Sequence, residues 1–272
     1  MGYKQLAVAA TFVIALFSCK KNTEQIPDPV PPPVKEVFLK DITIPNLPSP
    51  FYHFEYDTAG NIIKAGYQSG FRNYTVTYNS DKISEVKNET RTNNDILQYF
   101  YDNTGKVNFI KYVNEEGIVI KRCFLQYKGN QLQKIEWERK VDAGFIAERN
   151  ITFVYQSDGN LLNFTSHRLP FEGREEIIYT DWFQQYDNKI NVEGFSVFHE
   201  EDEHLLLLPA IQLQKNNPGK LIRTGNGVNY TIEYTYTYND KNAPITKTGD
   251  AVFNSGPNTG VRFQVNAGYS YY

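Results

Sequence analysis

Long stretches of this chain alternate between apolar and polar residues. Tyr230, Ile232, Tyr234, Tyr236 and Tyr238 interleave with Thr231, Glu233, Thr235 and Thr237. Phe145, Ala147, Ile151, Phe153 and Tyr155 keep the same beat, with Arg149 as the polar intruder, and Val261, Phe263, Val265, Ala267, Tyr269 and Tyr271 keep it at the C-terminus. Successive side chains of a strand point to opposite faces, so a period of two predicts strands with one buried face. Polar turns such as Glu115-Glu116-Gly117, Asp142-Ala143-Gly144, Phe171-Glu172-Gly173 and Gly256-Pro257-Asn258 break the runs. Phe51 to Tyr272 therefore reads as an antiparallel meander of about 14–16 strands.

The meander is organised by a repeat. A strand ends in Tyr, a polar turn follows, and an aliphatic residue opens the next strand. The phrase is Tyr56-Asp57-Thr58-Ala59-Gly60-Asn61-Ile62, then Tyr78 to Ile83, Tyr101-Asp102-Asn103-Thr104-Gly105-Lys106-Val107, Tyr127 to Leu132, Tyr155 to Leu161 and Tyr186 to Ile190. Weaker copies are Asn217 to Leu221 and Tyr238 to Lys241. The aliphatic position recurs at 62, 83, 107, 132, 161, 190 and 221, a spacing of 21 to 31 residues. Asp and Asn bond their own backbone two residues on, and Gly takes a positive φ without steric cost, so the phrase is a hairpin turn.

A meander this long must deal with its edges, because unpaired strand edges template aggregation. Closure into a barrel removes them. The expected fold class is all-β, a water-soluble barrel, with an open solenoid-like sheet and a membrane-spanning barrel as alternatives. A propeller needs blades of near-constant length, which the drifting spacing does not supply. A membrane strand needs about 9–11 residues. Arg72 to Tyr78 spans seven, and Gln131 to Arg139 offers no continuous lipid-facing side.

The N-terminus differs in kind. Lys4 precedes the apolar run Leu6 to Phe17, which is short of the roughly 20 residues that span a bilayer and suits an export signal. The run ends in Leu16-Phe17-Ser18-Cys19, which resembles the bacterial lipobox, although Phe17 stands where small or aliphatic residues are commoner. The resemblance implies that residues 1–18 are removed and that Cys19 is acylated. Multiple acyl chains anchor stably where one alone is marginal. Residues 19–50 then read as a Pro-rich tether, since eight of the 13 prolines fall from Pro27 to Pro50. Such a segment is extended rather than packed. The domain organisation expected is a signal peptide at 1–18, a tether at 19–50 and a barrel domain at 51–272.

The Tyr-Asp-x-x-Gly-x-Leu/Val phrase resembles the YD repeat of Rhs-type proteins in divergent form. With the lipobox, the arrangement over Phe51 to Tyr272 resembles a Bacteroidetes cell-envelope lipoprotein family of unknown function with a porin-like fold. The resemblance implies a soluble barrel lipid-anchored to the outer membrane, on its periplasmic or surface face, and implies no activity.

Composition narrows the function classes. The net charge is −3 with both signs interspersed, so no basic face argues for nucleic acid. Two cysteines occur, and with Cys19 assigned to lipid, Cys123 is read as a small buried apolar residue rather than a thiol nucleophile. His199-Glu200-Glu201-Asp202-Glu203-His204 is the conspicuous polar cluster, with His199, Glu203 and His204 as weak metal-ligand candidates. Its His pair lies at i, i+5 where the zinc-protease motif needs i, i+4 on a helix, so a solvated loop is expected, with no metal and no cofactor. The adjoining Leu205 to Leu208 is expected to plug one end of the barrel. Asp181 and Glu193 are one of many carboxylate pairs that strands could set up for glycoside hydrolysis. The function expected is a membrane-anchored binding or scaffold module for a glycan, peptide or envelope protein, with an envelope polysaccharide hydrolase as the alternative.

Overall fold

A computed structural model of the 272-residue chain describes residues 37–90, 94–193, 208 and 211–272. Its strands are β1 (Leu39–Thr43), β2 (Tyr52–Tyr56), β3 (Ile62–Tyr67), β4 (Arg72–Asn79), β5 (Lys82–Asn88) and β6 (Ile96–Tyr101). β7 (Val107–Val113), β8 (Val119–Lys128), β9 (Gln131–Val141), β10 (Gly144–Tyr155) and β11 (Leu161–Arg168) follow. β12 (Ile177–Tyr186), β13 (Pro218–Gly225), β14 (Tyr230–Tyr238), β15 (Pro244–Phe253) and β16 (Arg262–Tyr271) complete them. Each strand pairs with its neighbour in sequence, and β1 pairs antiparallel with β16, so the sheet is a closed barrel. Fold class and closure are as the alternation predicts.

Every copy of the repeat lies on one rim, and the rim's chemistry explains the phrase. Asp57 Oδ1 accepts the N–H groups of Ala59 and Asn61, both at 2.9 Å. Asp102 Oδ1 does the same for Thr104 and Lys106 at 2.8 and 3.0 Å. The side-chain bonds from Asn61 and Thr104, with these backbone bonds, hold the Asp57 and Asp102 carboxyls below the usual aspartate range. Gly60 and Gly105 supply the φ of +82° that ends each turn.

Beyond the turn, the Tyr and the aliphatic residue are register partners: Tyr56 with Ile62, Tyr78 with Ile83, Tyr101 with Val107, Tyr127 with Leu132, Tyr155 with Leu161. In each of these hairpins the register shifts by one residue just before the Tyr. A bulge bends its strand and increases the local twist. Repeated around one rim, it supplies the curvature that closure requires.

Each tyrosine also reaches sideways. Its hydroxyl donates to the carbonyl that opens the preceding hairpin's second strand: Tyr78 to Ile62 (3.0 Å), Tyr101 to Ile83 (2.9 Å), Tyr127 to Val107 (2.7 Å), Tyr155 to Leu132 (2.9 Å) and Tyr186 to Leu161 (2.7 Å). Tyr236 to Pro218, Tyr271 to Pro244 and Tyr56 to Leu39 carry the ladder around the rim. Copy is thus pinned to copy.

Two boundaries differ from the sequence reading. The tether expected through residue 50 ends earlier, because Leu39–Thr43 is the strand that closes the barrel, with Ile42 fully buried against Tyr52 and Tyr269 in the register. Prolines on both sides hid this five-residue strand. The Tyr186 and Asn217 phrases are moreover one copy, since Tyr186 pairs with Pro218 and the Asp187 N–H donates to the Asn217 carbonyl. Residues 188–216 interrupt it, and Ile190 is exposed rather than a strand opener.

The buried faces of β1 to β12 meet in one core, in which Tyr67, Ile110, Trp137, Ile151 and Phe164 are almost fully shielded. Cys123 is fully buried among them, as expected. The outer face carries Lys64–Glu55, Arg122–Glu138, Lys134–Glu136 and Lys220–Glu233 ion pairs. On a lipid-facing strand a Lys or Arg costs about 2–4 kcal/mol at the bilayer midplane. The aromatic ladder of the outer face, Phe100–Phe109–Phe124, stacks on itself at 5.5 and 4.9 Å beneath the Lys111 ammonium.

Candidate functional site: a cationic inner face at the rim opposite the tyrosines

Side chains two apart on a strand share a face, so the shielded core residues mark which others point inward. Lys121 precedes buried Cys123 by two, Arg139 follows Trp137, Arg149 precedes Ile151, Arg168 follows Ser166, and Arg223 follows Leu221. Five strands thus turn a cation inward. The register makes this more pointed, since Lys121 lies opposite Arg139 and Arg149 opposite Arg168. Like charges directly opposed across a ladder are destabilising.

Two carboxylates answer them. Asp181, 2% exposed, takes a bidentate pair from Arg223, with Nε and Nη2 both at 2.6 Å. The Arg223 guanidinium lies 4.0 Å from the ring centre of Tyr179 and 4.9 Å from that of Tyr230. Burial opposes its charge, but the bond and charge of Asp181 prevail and raise its pKa above that of a free guanidinium. Glu148 pairs with Arg139 and lies 3.3 Å from Lys121 Nζ. A register shift between Ala147 and Arg149 brings it inward, and the same shift turns Phe145 out to stack under Arg122 at 3.6 Å. Phe145 and Ala147 therefore do not share the face of Ile151, contrary to the unbroken alternation read from sequence.

Arg149 sits deeper. Its Nε donates to Ser166 Oγ at 3.1 Å and Nη2 to the Tyr179 hydroxyl at 3.5 Å, and its guanidinium lies 5.6 Å from the Trp137 ring centre.

Where these strands end, a cavity of about 200 Å³ opens, lined by Arg139, Ala147, Glu148, Arg168, Leu169, Phe171 and Arg174. The loop between β11 and β12 shapes it. Leu169 N–H donates to the Glu148 carbonyl, and Phe171 and Arg174 exchange backbone bonds of 3.2 and 2.9 Å. Glu172 and Gly173, at φ of 47° and 80°, make the tight turn between them. The fold-back lays Phe171 against Arg139, with the guanidinium 4.6 Å from the ring centre. Stacking of this kind holds the planar fork in place.

The tyrosine rim is covered instead. Leu208 and Leu213 are both 4% exposed and belong to the core. Asn160 Oδ1 accepts the N–H groups of Lys215 and Asn216, and Gln214 donates to the Tyr186 hydroxyl. Glu193 reaches into the barrel, taking bonds from Lys247 at 2.7 Å and Tyr269 at 2.5 Å. Leu208 fits the plug expected of the leucine run, while Leu205 to Leu207 lie outside the described residues.

Asp181 and Glu193 both face inward, and each is tied to a cation, Asp181 to Arg223 and Glu193 to Lys247. Cys19 and the cluster with His199, Glu203 and His204 lie outside the described residues. The inner cations were missed from sequence. Arg149 interrupting an apolar face was a signal, but the others share a face only through the register.

No family model matches the chain, and no curated protein matches it. Among solved structures it is similar to a porin-like protein from Bacteroides uniformis, 13% identical, with a TM-score of 0.58 over 81% of this chain and 89% of that one. It is also similar to a porin-like protein from Bacteroides vulgatus, 15% identical, with a TM-score of 0.57 over 86% and 99%. At such identities the likeness bears on the fold, and it agrees with a closed barrel.

Proposed function

We propose that the protein is a lipid-anchored binding module of the cell envelope that presents its cationic rim to a glycan, peptide or partner protein. The observation that carries this reading is the asymmetry of the barrel. The chain enters at Leu39 on the tyrosine rim, where the insertion packs into the core, and the cationic cavity opens at the other end. An acyl group on Cys19 would supply the anchor. The likeness to the two Bacteroides porin-like proteins supports the barrel fold on which this reading builds. No observation among the described residues favours the hydrolase alternative, and Asp181 and Glu193, one of its many possible pairs, are bonded to Arg223 and to Lys247.

The test uses the full chain expressed in a Gram-negative host. Wild type is expected in the membrane fraction carrying labelled palmitate, and Cys19→Ala is expected unlabelled and released. A wild-type chain that takes no label would overturn the anchor. Purified in detergent, the protein is expected to retain a ligand on a glycan array or to crosslink an envelope protein, and the absence of both would overturn the binding role.

A further inference from the structure

We propose that the cavity between Arg139, Arg168 and Arg174 is an oxyanion site, which takes one carboxylate or phosphate group borne on a small solute or on the end of a longer molecule. The inference rests on the binding-module reading and says what the module binds.

Three features carry it. The first is charge. Three arginines line the cavity against one acid, Glu148, which Arg139 and Lys121 already share. A partly enclosed concavity of one sign focuses potential and gathers counter-ions.

The second is geometry. Arg139 and Arg168 stand on strands at the barrel end, and Arg174 is presented by a turn closed by its own backbone bonds with Phe171. Phe171 flattens against the Arg139 guanidinium, so one fork is oriented before any ligand arrives. Planar forks match carboxylate and phosphate oxygens in pairs, which a lysine cluster would not do.

The third is size. A cavity of about 200 Å³ falls below the roughly 300 Å³ at which drug-sized sites begin. It fits one acidic unit, such as a phosphate or a single uronic acid, and leaves the rest of a larger molecule outside. Other regions carry less. The Phe100–Phe109–Phe124 ladder is self-stacked, and the Glu193 lock is already satisfied by Lys247 and Tyr269.

The experiment is calorimetric titration of the detergent-solubilised full chain, at low salt, with inorganic phosphate, glucuronate and glucose. Phosphate, glucuronate or both are expected to bind and glucose is not, and the stronger of the two acids identifies the source of the oxyanion. Arg174→Gln is expected to weaken that binding about tenfold, a difference of about 1.4 kcal/mol, and Arg174→Glu to abolish it. Arg168→Gln, on a strand rather than the turn, is expected to weaken it as well. Glucose binding as tightly as glucuronate, or Arg174→Glu leaving acid affinity unchanged, would overturn the inference. Retention of a neutral glycan or a protein partner unaffected by phosphate and by Arg174→Glu would sink the oxyanion site while leaving the binding module standing. Loss of all ligands in the array, crosslinking and titration arms would remove both.

Discussion

The rim that carries the tyrosines repeats one phrase, and the rim opposite is a set of loops of two to eight residues in which the clasp returns at Asn114 to Ile118 but the laddered tyrosine does not. At the first, Asp57 and Asp102 clasp their turns, a bulge precedes Tyr56, Tyr78, Tyr101, Tyr127 and Tyr155, and the tyrosine hydroxyls bond to the preceding copy. At the second, the loops differ from one another and one of them builds a cavity. The contrast teaches where each kind of constraint resides. Repetition serves closure, because a barrel needs the same bend many times. A site needs something made once.

The sharpest way to break this comparison is alkali. Burial raises the pKa of the ladder tyrosines above the ordinary value of 10.0, Tyr78 to about 12 and Tyr56, Tyr127, Tyr155 and Tyr186 further still. A phenol whose folded pKa is raised stabilises the fold fully below its unfolded pKa, and that contribution disappears as pH climbs past 10 toward the folded value. Because the whole ladder titrates in one direction, stability is expected to collapse between pH 10 and about 12. Tyrosinate absorbance and loss of the β circular dichroism signal should rise together. Ionisation well ahead of unfolding would show that the ladder does not hold the rim.

The next effect belongs to the lock inside that rim. The Glu193 and Lys247 side chains are only 12% and 9% exposed. Glu193→Gln leaves the Lys247 ammonium buried without its counter-charge, and breaking a buried pair from one side is strongly destabilising, here by about 3 kcal/mol. Urea midpoints at constant m report it. Below that stands Tyr155→Phe, which removes one hydroxyl and strands the Leu132 carbonyl, for about 1 kcal/mol. Tyr127→Phe is expected to match it, since Val107 plays the part of Leu132. Unequal losses at the two copies would mean that the rungs are not equivalent.

How much of this could be read without coordinates follows the same division. The turn phrase was legible because its chemistry is local: Asp57, Gly60 and Ile62 lie within one hairpin. Closure was legible as a necessity, but not its agent, because Leu39–Thr43 is a five-residue strand among prolines whose partner lies at the other end of the chain. The copy begun by Tyr186 was illegible as one unit because residues 188–216 separate Asp187 from Asn217. The cavity was harder again. Arg149 stands out as a cation on an apolar face, but Lys121, Arg139 and Arg168 read as ordinary charges, and only the register across β8 to β11 sets them beside it. The bulge at Ala147–Arg149 also breaks the alternation on which sequence phase depends.

The smallest expected effect draws the line between the rims most cleanly. Arg174 is an exposed turn residue whose backbone, rather than its side chain, closes the loop with Phe171. Replacing it with Gln keeps those backbone bonds, so its urea midpoint should correspond to wild type within about 0.5 kcal/mol, the range of surface substitutions that break no special feature. Set beside Tyr155→Phe, this is a loss of function without a loss of fold against a loss of fold without a cavity being touched. If Arg174→Gln instead destabilised the barrel as much as Tyr155→Phe does, the loop that carries it would be part of the frame. The cavity would then be an accident of how that frame ends, and the division between a repeated rim that closes and a singular rim that binds would have no physical basis.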